Sequence, residues 1–277
     1  MGINIVTDNC CDLPAEIIKR YGIRITHLRV RFGNKVYLPG EITNRQFYDK
    51  IKESDILPQT SQPPVEEILQ VYSDALANQS TVIAIHMSSG ISGTYQGGRV
   101  AQKILDNPRL HLFDSLKASV GQGLMVVEAA RLVEQGESLE NIIARLKDMQ
   151  ARMQCVFAVG NLECLIKGGR ISKTKGLLIN ALDIKPILYF DEEGKIRPYD
   201  RARGYTGAMR KLLNIMGEQD LGTQTIGIVH AAVPDIATKL KHAIEERFGA
   251  REIIIGEVGP VIGSHVGAGT FSVFFEK

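Results

Sequence analysis

No part of this sequence carries an excess of one charge: 33 Lys and Arg stand against 31 Asp and Glu over 277 residues, a net of +2. With no basic stripe and no like-charge tail, the electrostatic footprint of a nucleic-acid-binding protein is missing, and nucleic acid is not expected as a partner. Long apolar runs are missing too, so no integral membrane segment is expected. The opening Met1-Gly2-Ile3-Asn4-Ile5-Val6-Thr7-Asp8 has neither the basic start nor the apolar run of a secretory signal. Thr7 stands one position too late after Gly2 for N-myristoylation. Cysteine is scarce: Cys10, Cys11, Cys155 and Cys164 form no Cys-x-x-Cys pair, so neither a metal site nor a disulfide framework is indicated. Reduced thiols suit a cytoplasmic location, which is the expectation here.

Motifs of common enzyme chemistries are also missing. There is no Walker lysine loop, no Gly-x-Gly-x-x-Gly after the first β-rich run, no His-Glu-x-x-His and no Gly-x-Ser-x-Gly elbow. Nucleotide hydrolysis, dinucleotide binding and metalloprotease chemistry lose support, and no cofactor is implied.

What is present is an ordinary globular balance, 44% hydrophobic and 23% charged, in a chain long enough for two domains. In the first half, β-rich runs at 3–7, 24–31, 81–87 and 110–113 alternate with helical patterns at 13–21, 43–52, 65–76, 92–105 and a long pair over 119–149. Asp12 reads as the N-cap of the first helix, with Pro14 in its first turn. Val82-Ile83-Ala84-Ile85 leaves no polar face, as in a parallel strand covered on both sides. This alternation predicts a mostly parallel sheet with helices on both faces. After Arg152 the pattern changes. A strand at 154–159 is followed by a hairpin of 184–190 and 195–201 around Asp191-Glu192-Glu193-Gly194, then helix 204–216, strand 225–230, helix 234–248, strand 251–258, a glycine-rich loop and a last strand at 270–275. The expectation is an α/β protein of two domains. An N-terminal α/β domain spans 1–155, a smaller C-terminal α+β domain spans 156–277, and the boundary falls near 155.

Hydroxyl and glycine residues gather where such a fold binds ligands. Ser88-Ser89-Gly90-Ile91-Ser92-Gly93-Thr94 follows the buried strand, at the carboxyl end of the sheet. Ser92 is an ordinary helix cap on its own, but four hydroxyls and two glycines in seven residues exceed what a cap needs. Backbone amides and hydroxyls there suit a carboxylate or phosphate. Pro58-Gln59-Thr60-Ser61-Gln62-Pro63-Pro64 is either a proline-fixed linker or a device holding Thr60 and Ser61 toward a ligand. Arg170, behind Gly168-Gly169, is either a solvated surface arginine or a planar fork for an anion. Four glycines flank His265 within 259–269, which suggests close backbone approach to a bound group.

Taken in order, these motifs resemble the DegV family of bacterial fatty-acid-binding proteins, and the match runs the whole length. It includes Ile5-Val6-Thr7-Asp8 with Asp12-Leu13-Pro14, Pro58 to Pro63, Ser88-Ser89 with Ser92-Gly93-Thr94-Tyr95-Gln96, and Asp114-Ser115 with Ser119 and Gly121-Gln122-Gly123. It continues through Lys167-Gly168-Gly169-Arg170-Ile171 and Lys185-Pro186-Ile187-Leu188 to Gly259-Pro260-Val261-Ile262-Gly263 and His265. The resemblance implies a tunnel between two domains that buries one long-chain fatty acid, with no catalysis by this chain alone. Thr60, Ser61, Ser92, Gly93 and Thr94 would hold the carboxylate, with Arg170 and His265 nearby. It also implies a partner, a dihydroxyacetone-kinase-like fatty acid kinase subunit that makes the acyl phosphate, with Arg201 and Arg203 facing it. Asn9, Gly97-Gly98 and Ala268 depart from the family pattern without removing an implied ligand contact. Two other readings stay open on the residues alone: a Ser92–His265 acyl-ester hydrolase, and a carrier of another small anion such as a phosphorylated sugar.

Overall fold

The computed structural model describes residues 2–54, 56–160, 162–172, 183–250 and 252–277. Strands β1 (Ile3–Asp8), β2 (Arg24–Thr26), β6 (Thr81–His86) and β7 (Leu110–Asp114) form a parallel sheet in the order β2-β1-β6-β7. Alternation divides its faces. Val6, Val82 and Ala84 pack beneath helix α3 (Val65–Leu76) with Ile68 and Tyr72, while Ile83 and Ile85 turn to the opposite face. Val82 through Ile85 are all fully buried, as an unbroken apolar run in a covered parallel sheet requires. Helix α4 (Thr94–Leu105) completes the outer layer against α3 and β7.

The second sheet is the wider one. Its order is β10 (Ile196–Arg203), β9 (Ile184–Phe190), β8 (Met153–Ala158), β13 (Phe271–Glu276), β11 (Ile226–His230), β12 (Ile253–Glu257). Only β11 and β12 run parallel; the other neighbours are antiparallel. Helices α8 (Gly204–Met216) and α9 (Pro234–Phe248) cover its outer face.

Between the sheets lies α5 (Val120–Glu134), which touches β1 and β6 on one side and β8, β11, β12 and β13 on the other. Residues Val120 through Val127 are buried without a break, so this helix has no solvent face in its first half. Two glycines let it fit. A Cβ at Gly121 would stand 2.6 Å from Phe274 Cδ1, and one at Gly123 would stand 2.8 Å from the Cys11 carbonyl. One apolar cluster therefore runs from β6 through α5 to β8 and β13. Helix α6 (Leu139–Arg152) then carries the chain into the second sheet, and position 155 falls inside β8 rather than before it.

A third, antiparallel sheet of β4 (Lys35–Tyr37), β3 (Arg29–Phe32) and β5 (Gln59–Ser61) sits at the junction. Here the structure corrects the sequence reading. Residues 24–31 are not one strand: β2 ends at Thr26 and β3 starts at Arg29 in a different sheet. Asn9 fixes that break by bonding both the carbonyl and the amide of Leu28. Asp12 is not the cap of α1 (Ala15–Arg20), where Pro14 takes that place. Its buried carboxylate accepts from the Gly259 amide at 2.9 Å and from the Ser119 hydroxyl instead. The glycine-rich run is no simple loop, because Pro260–Val266 forms α10. Gly263 explains this. A Cβ there would lie 2.7 Å from Phe47 Cε1 and 2.8 Å from Tyr48 Oη, so glycine lets α10 seat on α2 (Asn44–Glu53). Arg251, the expected start of the strand at 251–258, lies outside the described residues.

Candidate functional site

A cavity opens between the two sheets. Its walls are apolar: Met87 from the end of the first sheet, Phe157, Val229 and Phe274 from the second, and Val261 from α10 are among them. The polar side chains Thr60, Ser92, Arg170 and His265 come to the same cavity from four separate segments. That combination of apolar wall and few convergent polar groups is the usual make-up of a small-molecule site.

Each polar residue has a local reason for its place. Thr60 is the middle residue of β5, so alternation turns it opposite to Gln59 and Ser61, which are both exposed. Its Oγ1 lies 2.8 Å from His265 Nε2. His265 stands in the last turn of α10, and its ring packs against the backbone after α7 (Glu163–Lys167). A Cβ at Gly168 would lie 2.6 Å from His265 Nδ1, so the glycine is what admits the ring. That Nδ1 is buried with no hydrogen-bond partner among the described residues. Burial, and next the neighbouring Arg170 charge, push the imidazole down to about 4, so it is neutral at pH 7.

Arg170 is half-buried and donates to the Ile91 carbonyl at 3.1 Å and the Gly168 carbonyl at 2.5 Å. Among the described residues no carboxylate pairs with it, and burial lowers its pKa. It also borders an open depression on the surface beside Lys195 and Arg197, and so stands at the mouth of the cavity. A guanidinium held by carbonyls, short of a counter-charge, is prepared for an anion.

The hydroxyl loop divides its labour. Ser92 lines the cavity, and its Oγ lies 2.9 Å from Thr94 Oγ1. Thr94 is fully buried at the start of α4 and does not line the cavity. Gly93 is exposed, and a Cβ there would collide with Gln62 Oε1. Ser88 turns the other way and donates to the Gly194 carbonyl at 2.7 Å, fastening this loop to the β9–β10 hairpin. Ser61 is exposed and outside the lining. Arg201 and Arg203 are exposed on β10, the edge strand of the second sheet. The bond a Ser92–His265 hydrolase pair needs is absent among the described residues: Nε2 of His265 meets Thr60, and Ser92 meets Thr94.

Three further hydroxyls line the cavity: Ser119, Thr270 and Ser272. For the last two the signal was available in the alternation of 270–275, where even positions share one face. Ser119 carried no such signal, because it depends on a φ of 56° and on the distant Asp12.

Residues 2–277 match the family profile described as "Uncharacterised protein, DegV family". DegV domain-containing protein TTE1491 of Caldanaerobacter subterraneus is 31% identical over 278 residues, 99% of each chain. Protein DegV of Bacillus subtilis is 31% identical over 277 residues, 99% of this chain and 98% of that one. Among solved structures, a DegV family protein from Thermus thermophilus, described by its fatty acid binding, superposes with a TM-score of 0.92 at 32% identity over 100% of both chains. Bacillus subtilis DegV, described as a fatty acid binding protein, gives 0.88 at 30% identity, again over 100% of both. With a full-length family match, relatives above 30% identity and the same fold throughout, this chain belongs to the DegV family.

Proposed function

We propose that this protein is a carrier, acting in the cytoplasm, that buries one long-chain fatty acid in the cavity between its sheets. The observation that carries this reading is the cavity itself: an apolar passage with Thr60, Ser92, Arg170 and His265 gathered on it. The carboxylate takes hydrogen bonds from the Thr60 and Ser92 hydroxyls, with neutral His265 orienting Thr60. The fatty-acid-binding relatives support the same ligand class. Tail burial is sufficient in energy: about 15 methylenes at ~0.8 kcal/mol each offer roughly 12 kcal/mol gross. Lost translational, rotational and chain freedom removes a large part of that and leaves room for micromolar or tighter binding. Hydroxyl donors matter because burying the carboxylate unpaired would cost more than its contacts return.

The chain does no chemistry alone in this reading. It presents the head group at the mouth to a separate kinase subunit, which forms the acyl phosphate. Arg170, between the cavity and the open depression, meets the added phosphate charge, and exposed Arg201 and Arg203 face the partner. Native mass spectrometry of the purified protein, with organic extraction, tests the carrier reading. One copurified fatty acid per chain is expected. No lipid, and no uptake after delipidation and exposure to a fatty-acid mixture, would overturn it.

A further inference from the structure

The cavity carries one polar side chain that the head-group end does not use. Ser272, the second residue of β13, is 1% exposed, and its Oγ has no hydrogen-bond partner among the described residues. Strand alternation fixes where it points. Phe271, Val273 and Phe275 pack into the cluster beneath α8 and α9, while Thr270, Ser272 and Phe274 line the cavity. Its cross-strand neighbours are Phe157 on β8 and Val229 on β11, both apolar and both lining the same cavity. The other hydroxyls of this wall are satisfied: Thr270 donates to the Val266 carbonyl at 2.9 Å, and Ser119 donates to Asp12. Among the described residues, Ser272 carries the one hydroxyl of this wall left without a partner.

Its depth follows from the strand. Thr270 is tied to Val266, the residue after His265, and so belongs to the head-group end. Ser272 stands two residues farther along β13, roughly 7 Å at the rise of an extended strand. It therefore borders the part of the cavity that takes the chain. Buried hydroxyls in folded proteins are nearly all paired, and an exception on a ligand-binding wall points to the ligand. A plain hydrocarbon chain laid across Ser272 would seal it unpaired; a chain bearing its own hydroxyl or carbonyl at that depth would pair it.

We propose that Ser272 is a second polar contact in the cavity, through which the protein selects long-chain fatty acids oxygenated within the chain, hydroxy or oxo, over their unsubstituted parents. This rests on the fatty-acid reading above. In a wholly apolar cavity a hydroxyl on the ligand chain forfeits its hydrogen bonds to water, and affinity falls roughly tenfold or more. At the depth of Ser272 the ligand oxygen and the serine relieve each other. Position along the chain therefore decides the outcome, and a site built around such a bond discriminates more sharply than one that only adds or removes a methylene.

The test uses the delipidated full chain and displacement of a fluorescent fatty acid by stearate and by a positional series of hydroxystearates. A narrow group of adjacent isomers is expected to match or exceed stearate, with isomers outside it weaker by roughly tenfold. In Ser272→Ala the favoured isomers lose roughly tenfold, while stearate stays within about twofold, because the variant removes only the unpaired hydroxyl. Uniform weakness of every isomer relative to stearate, or equal losses of stearate and hydroxystearates in Ser272→Ala, would overturn the proposal. The isomer series in the unsubstituted protein decides the matter even where the variant folds poorly. Failure of stearate itself to compete would strike the fatty-acid reading, and this proposal with it.

Discussion

Thr60 and His265, 205 positions apart in the chain, meet at 2.8 Å on the wall of the cavity. The pair joins a small strand inserted in the first half to a short helix near the C-terminus, and it orients the hydroxyl assigned to the ligand carboxylate. Thr60→Val keeps the shape and removes the hydroxyl. Fatty-acid affinity should fall roughly tenfold to a hundredfold, as for loss of a hydrogen bond to a charged group, and stability should fall by about 1–3 kcal/mol because His265 Nε2 also loses its partner. Displacement of a fluorescent fatty acid measures this; unchanged affinity would remove Thr60 from the head-group site.

Gly168 should be intolerant of a side chain. A Cβ there would stand 2.6 Å from His265 Nδ1 and 2.8 Å from the Cys164 carbonyl. The backbone oxygen cannot move aside cheaply, so Gly168→Ala should displace the ring and lower both stability and affinity, the first by about 1–3 kcal/mol. Urea unfolding and ligand displacement read the two effects.

Acid should weaken the fold through His265. Its ordinary value of 6.5 is pushed down to about 4 in the folded chain, first by burial and then by Arg170. Between those two pH values the unfolded chain binds the proton and the folded chain does not. The stability from the neutral ring is thus complete above pH 6.5 and is lost as pH falls toward 4. Comparing urea unfolding at neutral pH and near pH 5, the unsubstituted protein should lose roughly 2 kcal/mol more than His265→Gln. Parallel losses would show that the ring is not held neutral.

Much of this was legible in the chain, for identifiable reasons. The unbroken apolar run Val82–Ile85 could only be a doubly covered strand, and the helices over Val65–Leu76 and Gly204–Met216 carry their periodicity in full. Thr60, Ser92, Arg170 and His265 were each suspected from local composition, yet their convergence depends on contacts between distant segments, which no local pattern encodes. The helix at Pro260–Val266 was hidden because Gly263 serves packing against Phe47 and Tyr48 rather than flexibility. Asp12 read as a cap because nothing nearby in sequence announces Ser119 and Gly259 as its partners.

The helix shared by the two sheets offers a separate check. Gly123→Ala would bring a methyl to 2.8 Å from the Cys11 carbonyl and from Leu13. Overpacking there costs about 1–3 kcal/mol. This outweighs the roughly 1 kcal/mol that alanine gains in helix propensity. The variant should melt several degrees lower; a higher melting temperature would mean the sheets do not close on α5 as described.

Arg170 should separate fatty-acid binding from phosphoryl transfer to the bound acid. Its guanidinium is held by two carbonyls and stands at the mouth, so Arg170→Gln should leave fatty-acid affinity within a few-fold. Acyl-phosphate formation in the presence of a fatty acid kinase subunit should fall by roughly tenfold or more, as for loss of a charged contact to phosphate. Unchanged turnover would take Arg170 out of that step.

Whether the cavity between the sheets takes a fatty acid is tested most directly by titrating the delipidated protein with a fluorescent fatty acid, then competing with palmitate and with a sugar phosphate. Saturable binding at one site per chain, displaced by palmitate and untouched by the sugar phosphate, is the predicted result. Displacement by the sugar phosphate and not by palmitate would contradict the account and assign the hydroxyls and Arg170 to a different anion.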